Sequence, residues 1–167
     1  MTSRIKSFLS SLNDEALVGS YGQLVKELRG RGIVTNKNVT GELGEHMVID
    51  RYSITPGLPK LRRAPAGTKN VDALSSRGDR YSIKTVTSKT TGSFYDLEPK
   101  GSTLRDTPVF EYLVVAVLDD YYQLVKLLEF DWNKFIKHKS WNSRMKNWNL
   151  ILTQKVVADA KDVLGRR

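Results

Sequence analysis

The stretch Asn70–Val86, NVDALSSRGDRYSIKTV, decides how the rest of the chain is arranged. Val71–Ser75 and Arg80–Thr87 alternate in character around a Ser-Arg-Gly-Asp turn, the pattern of two short antiparallel strands. Successive strand side chains point to opposite faces, so Ser82 and Lys84 project together. Asp72 joins them in only one register. A two-residue turn at Arg77-Gly78 sets Asp72 opposite Ile83 and turns its carboxylate away from Lys84. A three-residue loop, Ser76-Arg77-Gly78 with Gly78 left-handed, sets Asp72 opposite Ser82 instead. The second register, or an equivalent bulge, is the expected one. It puts a carboxylate and an ammonium on one face at the mouth of a hairpin, where they can hold a divalent cation and steady a phosphate. The plainer alternative makes Asp72 a strand-end turn residue and Lys84 a solvated strand lysine.

The whole chain bounds what such a site can be. Its 167 residues, 40% of them hydrophobic, suit one ordered domain with its own core. There is no cysteine, which excludes disulfides, zinc thiolates and thiol nucleophiles. The two histidines, His46 and His138, are too few for a histidine-rich metal site. No apolar run is long enough for a signal peptide or a bilayer span, so a cytoplasmic protein without a membrane partner is expected. The formal charge of +9 favours an acidic polymer as partner, because lysine and arginine contacts release counterions from phosphate backbones.

Elements on either side follow from periodicity. Ser3–Leu12 reads as a short helix, and Asn13 caps a second one in which Leu17, Tyr21, Leu24, Val25 and Leu28 repeat as core contacts until Gly30 and Gly32 end it. Thr40 is expected to cap the helix TGELGEHMVIDRY, running to Tyr52. Glu42 in its first turn complements the helix dipole, whereas Glu45, on the face of Ile49 and Tyr52, is the better inward carboxylate. His46 reads as a surface helix residue. From Ser53 to Asn70, prolines and glycines predict a loop, and Lys60, Arg62, Arg63 and Lys69 make it a track for a phosphate backbone. Ser88–Pro108 is a long polar connection carrying Phe94 and Tyr95, suited to covering bound nucleic acid or choosing its bases.

The nearly continuous apolar run Phe110–Leu118 predicts a strand buried on both faces, returning after Asp119-Asp120 as Tyr121–Leu128. Asp131 is expected to cap a helix through Lys137, with Trp132, Phe135 and Ile136 facing inward. No acid occurs from Trp132 to Ala158, where Lys137, Lys139, Arg144 and Lys146 alternate with Trp141, Trp148, Asn142, Asn147 and Asn149. That mixture suits phosphate and base-edge contacts, although Trp148 also reads as a core residue opening a last strand, NLILT. Ala158–Leu164 reads as a closing helix. The sum is an α/β fold, a mixed central sheet of about five strands flanked by helices. Residues 1–38 would form an N-terminal helical segment, 39–130 a core and 131–167 a basic C-terminal segment of one domain.

A helix acid, an aspartate-bearing strand and the Ser82-Ile83-Lys84 strand, in that order, resemble the PD-(D/E)xK nuclease superfamily, the restriction-endonuclease-like fold. The resemblance covers roughly Thr40–Leu128 and extends to the layout GELGE…TKNVDALS…RYSIKT. It implies a Mg²⁺-dependent DNA endonuclease of type II restriction-like character, with Mn²⁺ as a substitute ion, a homodimer as the working form and a cognate methyltransferase as a further partner. Asp72 and the Ile83 carbonyl would bind the metal. Lys84 would orient water and stabilise the phosphorane-like charge, and a helix glutamate would complete the site. Val71 replaces the motif proline at a position with no chemical role. Ser82 stands where a second carboxylate is usual, so Glu45, then Glu42, then Glu98 are the candidates to replace it. Without such a substitute the resemblance implies a nucleic-acid-binding protein that does not cut, or an interaction subunit of a larger complex.

Overall fold

A computed structural model describes residues 2–165, the side chain of Thr2 excepted. Two compact units make up the chain, Met1–Glu42 and Leu43–Arg167. The first holds helix α1 (Thr2–Ser10), helix α2 (Asp14–Gly30) and the first turn of α3 (Val39–Ile54). Asn13 caps α2 as its sequence position predicts, its side chain accepting the Ala16 N–H at 2.9 Å. The expected core contacts of α2 are not core: Leu17, Val18, Tyr21 and Leu24 are exposed, and no residue of α2 is buried. Helical periodicity reports that an apolar face exists and not what covers it. α3 opens one residue before Thr40, and Asn38 supplies the cap by accepting the Gly41 N–H at 3.2 Å.

The second unit is built on a mixed six-stranded sheet in the order β1-β2-β3-β4-β5-β8. Its strands are β1 (Leu61–Arg63), β2 (Ala73–Ser75), β3 (Arg80–Val86), β4 (Tyr112–Leu118), β5 (Leu124–Asp131) and β8 (Lys161–Asp162). β3 and β4 run parallel, with Tyr81 opposite Tyr112, and every other pair is antiparallel. Helix α4 (Trp132–His138), the hairpin β6 (Lys139–Asn142) and β7 (Asn147–Leu150), and helix α5 (Gln154–Asp159) complete the unit.

Two edge strands were hidden, and the expected last strand, NLILT, falls outside the sheet, its start pairing with β6 as part of β7. β1 lies inside the segment expected to be a loop, where Leu61 is buried and Arg62 exposed in strand alternation. β8 lies where a closing helix was expected. That helix forms earlier as α5, because Thr153 caps it, and Ala160 is already extended (φ −74°, ψ 154°). β5 likewise starts later than Tyr121, since the Asp119 carboxylate holds a turn by accepting the N–H groups of Tyr121 and Gln123. Asp131 caps α4 as expected, accepting the Lys134 N–H at 2.9 Å.

Apolar packing divides by sheet face. Val48 and Tyr52 of α3 cover Ala73, Tyr81, Ile83, Val114, Ala116 and Leu127. Phe94, Phe110 and Phe135 pack with Val86, Leu113, Val115, Leu128 and Phe130 in the other cluster. At ~25 cal/mol per Å² of apolar area, these two layers supply the main drive for folding. Among the described residues no helix is long and apolar enough to cross a membrane.

Candidate active site at the mouth of the β2–β3 hairpin

The register follows the three-residue loop. Ala73 pairs with Tyr81 and Leu74 with Arg80, the Ser75 N–H donates to the Asp79 carbonyl, and Gly78 closes the loop at φ +89°. A side chain at Gly78 would be strained there, which explains glycine at that position. Beyond that pair the ladder slips as at a bulge, the Asp72 N–H donating to the Tyr81 carbonyl at 2.8 Å, and Asp72 meets Ser82. The side chains bear it out: Asp72 Oδ2 accepts the Ile83 N–H at 2.6 Å and the Ser82 hydroxyl at 3.3 Å. Ser82 is only 1% exposed, so its hydroxyl is a fixed buckle and not a solvent group.

Lys84, two residues on, shares the face of Ser82. Its ammonium lies 5.3 Å from the centroid of the Phe94 ring, a cation–π contact that holds the charge without neutralising it. Phe94 is buried against Phe135 and Phe110, so the long 88–108 connection builds a floor beneath the lysine. The Ile83 N–H faces Asp72, and a strand residue sends its carbonyl to the same neighbour as its N–H. The Asp72 carboxylate, the Ser82 hydroxyl and the Ile83 peptide thus meet just before β2 begins, on the face that Lys84 shares.

The opposite face of β3 is structural. Gly44 of α3 lies so close that a Cβ there would sit 1.9 Å from Thr85 Oγ1, which requires glycine. Beyond it, the buried Tyr52 hydroxyl bonds to Glu129, whose other oxygen accepts the Lys161 ammonium at 2.9 Å. Burial, then the Glu129 charge, pushes the Tyr52 phenol far above its usual range, and Tyr81 is raised by the same causes. Arg80 and Glu111 close the start of β3 with a bridge at 2.6 Å. The hydrogen bonds from Arg80 hold the Glu111 carboxyl below its usual range. A cavity of about 450 Å³ opens on this side near Lys60, Arg77, Tyr112 and Glu129, at the turn end of the hairpin, and neither Asp72 nor Lys84 lines it.

Two of the candidate substitute acids are engaged by partners close to them in the chain. Glu42 is buried, and its carboxylate accepts the Thr35 hydroxyl at 2.7 Å, the Thr35 N–H and the Asn36 amide. Glu98 accepts the Ser102 hydroxyl at 2.7 Å within its own loop. Glu45 follows Gly44 on α3, one residue from the point where the helix meets Thr85. An acid that sequence reasoning passed over comes nearer in the chain path. Asp96 accepts the Asn70 amide at 2.9 Å, just ahead of Asp72, both residues holding φ 58°. Asn and Asp tolerate that left-handed backbone, but nothing in the sequence pairs the two.

The basic residues divide as well. Lys60, Arg62, Lys69, Arg144 and Lys146 are exposed, and Arg63 is half-buried. Lys137 is exposed but bridges Asp159 at 2.7 Å, and with His138 it holds that carboxyl down at about 2. Lys139 is half-buried, paired with Asp106, and its ammonium lies 4.0 Å from the Trp148 ring centroid.

As donors for Mg²⁺ the gathered oxygens fit in kind, since the ion takes hard oxygen ligands and commonly one or two protein carboxylates. Their charge is low: among the described residues no group of three or more His, Cys, Asp or Glu converges as a metal shell. No protein-family model matches this chain, and no curated protein matches it in sequence.

Proposed function

We propose that the protein is a Mg²⁺-dependent DNA endonuclease of the PD-(D/E)xK, restriction-endonuclease-like kind, hydrolysing phosphodiester bonds at the mouth of the β2–β3 hairpin. The observation that supports this reading is the hydrogen bond from the Ser82 hydroxyl to Asp72, on the face that Lys84 shares. The alternative register would have separated the two charges by the thickness of the sheet.

Each residue then has a defined task. The Ile83 N–H and Ser82 hydroxyl fix the Asp72 carboxylate. Asp72 and the Ile83 carbonyl would hold the ion, with water and phosphate oxygens completing its shell. When bound, Mg²⁺ supplies charge neutralisation at the scissile phosphate and a more acidic water. The Lys84 ammonium, lying over Phe94, would offset negative charge developing on the phosphoryl oxygens and orient the attacking water. Glu45, next to the residue of α3 that meets Thr85, is the first candidate for the further carboxylate. Lys60, Arg62, Arg63 and Lys69 approach along β1 and its flanks to carry the DNA backbone.

The N-terminal unit supports a second element of the reading, a homodimer. Ile5, Phe8, Val18, Tyr21 and Leu24 are all more than half exposed, an apolar surface of the kind that marks association. Two copies provide the two sites needed to cut both strands.

Supercoiled plasmid incubated with the purified chain in Mg²⁺ or EDTA tests the activity. Nicked or linear product is expected in Mg²⁺ or Mn²⁺ only, and Lys84→Ala is expected to reduce it by at least ~100-fold. Binding without product would replace the enzyme by a nuclease-like nucleic-acid-binding protein. Weak, salt-insensitive binding would point instead to an interaction subunit.

A further inference from the structure

A second recess lies between the loop after Phe94 and the β6–β7 hairpin, with a volume of about 140 Å³. Tyr95, Asp96, Trp141, Lys146, Asn147 and Trp148 line most of it. Its walls are fixed before any ligand arrives. Trp141 and Trp148 are cross-strand partners in edge contact, with ring centroids 5.1 Å apart. The Trp148 indole N–H donates to the Glu98 carbonyl at 2.7 Å, and the Lys139 ammonium covers its ring. The loop is tied to the hairpin by the Phe94 N–H on the Trp148 carbonyl and by the Asn147 amide on Ser93 at 2.6 Å.

The contents of the recess suit one kind of guest. Aromatic walls take a flat ring, while the Asn147 and Asp96 side chains place amide and carboxylate groups at its edge, where base donors and acceptors would lie. Lys146 and Arg144 are exposed on the hairpin turn, so the guest's backbone is expected to be anionic. Within a duplex a base is stacked on both sides and cannot enter such a slot; an unpaired base can. Phe94 also lines the recess, and its ring carries the Lys84 ammonium. A strand held here would therefore pass close to the hairpin mouth.

We propose that this recess binds one unstacked base of single-stranded DNA, with the neighbouring phosphates on Lys146 and Arg144. The choice of DNA rests on the endonuclease reading, whereas the stacking geometry does not.

Tryptophan fluorescence titrations of the full chain in EDTA test it without any need for cleavage. The probes are a mixed-sequence single strand, the same strand with abasic sites, and its duplex. The single strand is expected to quench the emission and to bind about tenfold more tightly than the abasic strand, as a base–aromatic stack requires. Trp141→Ala is expected to abolish that preference and Trp141→Phe to restore most of it. Tyr95→Ala, at a position 65% exposed and so safe for folding, is expected to weaken single-strand binding severalfold. Equal affinity for intact and abasic strands, or unchanged single-strand binding in both Trp141→Ala and Tyr95→Ala, overturns the proposal. Base-dependent binding by a protein that never cuts plasmid leaves the recess standing and removes the nuclease. Cleavage by a protein that ignores the abasic sites does the reverse.

Discussion

The two faces of β3 make the instructive contrast in this molecule. On one, Tyr81, Ile83 and Thr85 meet α3 so closely that only glycine fits at position 44. On the other, Ser82 meets Asp72, which a backbone N–H also holds, and Lys84 lies over an aromatic floor. A strand has two independent faces, so one set of residues can be fixed by packing while the other is left to chemistry. Substitutions on the two faces should therefore fail in different assays.

The largest effect is expected from Asp72→Asn. The amide oxygen keeps an acceptor for the Ile83 N–H, so folding should change little, while the anion is lost. Mg²⁺-dependent plasmid cleavage should fall at least ~100-fold with the melting temperature within a few degrees of the parent. A folded Asp72→Asn protein that still cuts at the parent rate removes this face from the chemistry.

Gly44→Ala probes the other face. Its methyl would lie 1.9 Å from Thr85 Oγ1 and 2.8 Å from Thr85 Cβ, so helix and strand must part. The cost is expected to be about 1–3 kcal/mol, read as a melting temperature lower by about 2–4 °C for each kcal/mol. Below that transition, Gly44→Ala should cleave within a few-fold of the parent, whereas Glu45→Gln should lose most of its cleavage while keeping its melting temperature. Unchanged cleavage in Glu45→Gln would remove the helix glutamate from the site.

How much of this was legible in the sequence depended on distance along the chain. The hairpin register was readable because it rests on a local rule, a left-handed glycine ending a three-residue loop, and Gly78 obeys it. The Asn13 and Asp131 caps were readable for the same reason. β1 and β8 were not: two or three residues carry too little periodicity, and each is a strand only by pairing with a neighbour distant in sequence. The floor under Lys84 was also hidden, since Phe94 arrives from a connection with no period of its own. Nor did charge pattern distinguish the half-buried Lys139 from the exposed Lys146, because Asp106, far back in sequence, decides that difference.

Tyr52→Phe sharpens the structural side of the contrast by removing a single hydroxyl from α3. Glu129, 8% exposed, would keep Lys161 and lose the phenol, leaving a buried oxygen short of a donor. The expected loss is ~1–3 kcal/mol, seen in the denaturant midpoint, with cleavage by the folded protein unaffected. Because burial and Glu129 push the phenol far up, it stays a donor throughout the working pH range. The difference between Tyr52→Phe and the parent should then be flat from neutral to mildly alkaline pH.

The smallest effect belongs to the bridge that closes the start of the strand. Arg80 depresses the Glu111 carboxyl, so the folded state binds that proton less readily than the unfolded chain does. The stabilisation is complete above the ordinary glutamate value and disappears as pH falls through the depressed one. Both side chains are 39% exposed, so solvent screening keeps the contribution to about 1 kcal/mol or less. Glu111→Gln should melt a few degrees below the parent near neutral pH and converge with it in acid, with the gap also shrinking in high salt. A gap that persists in acid would assign the effect to the neutral hydrogen bond from the Arg80 N–H, leaving the ion pair with no share in holding β3 in register.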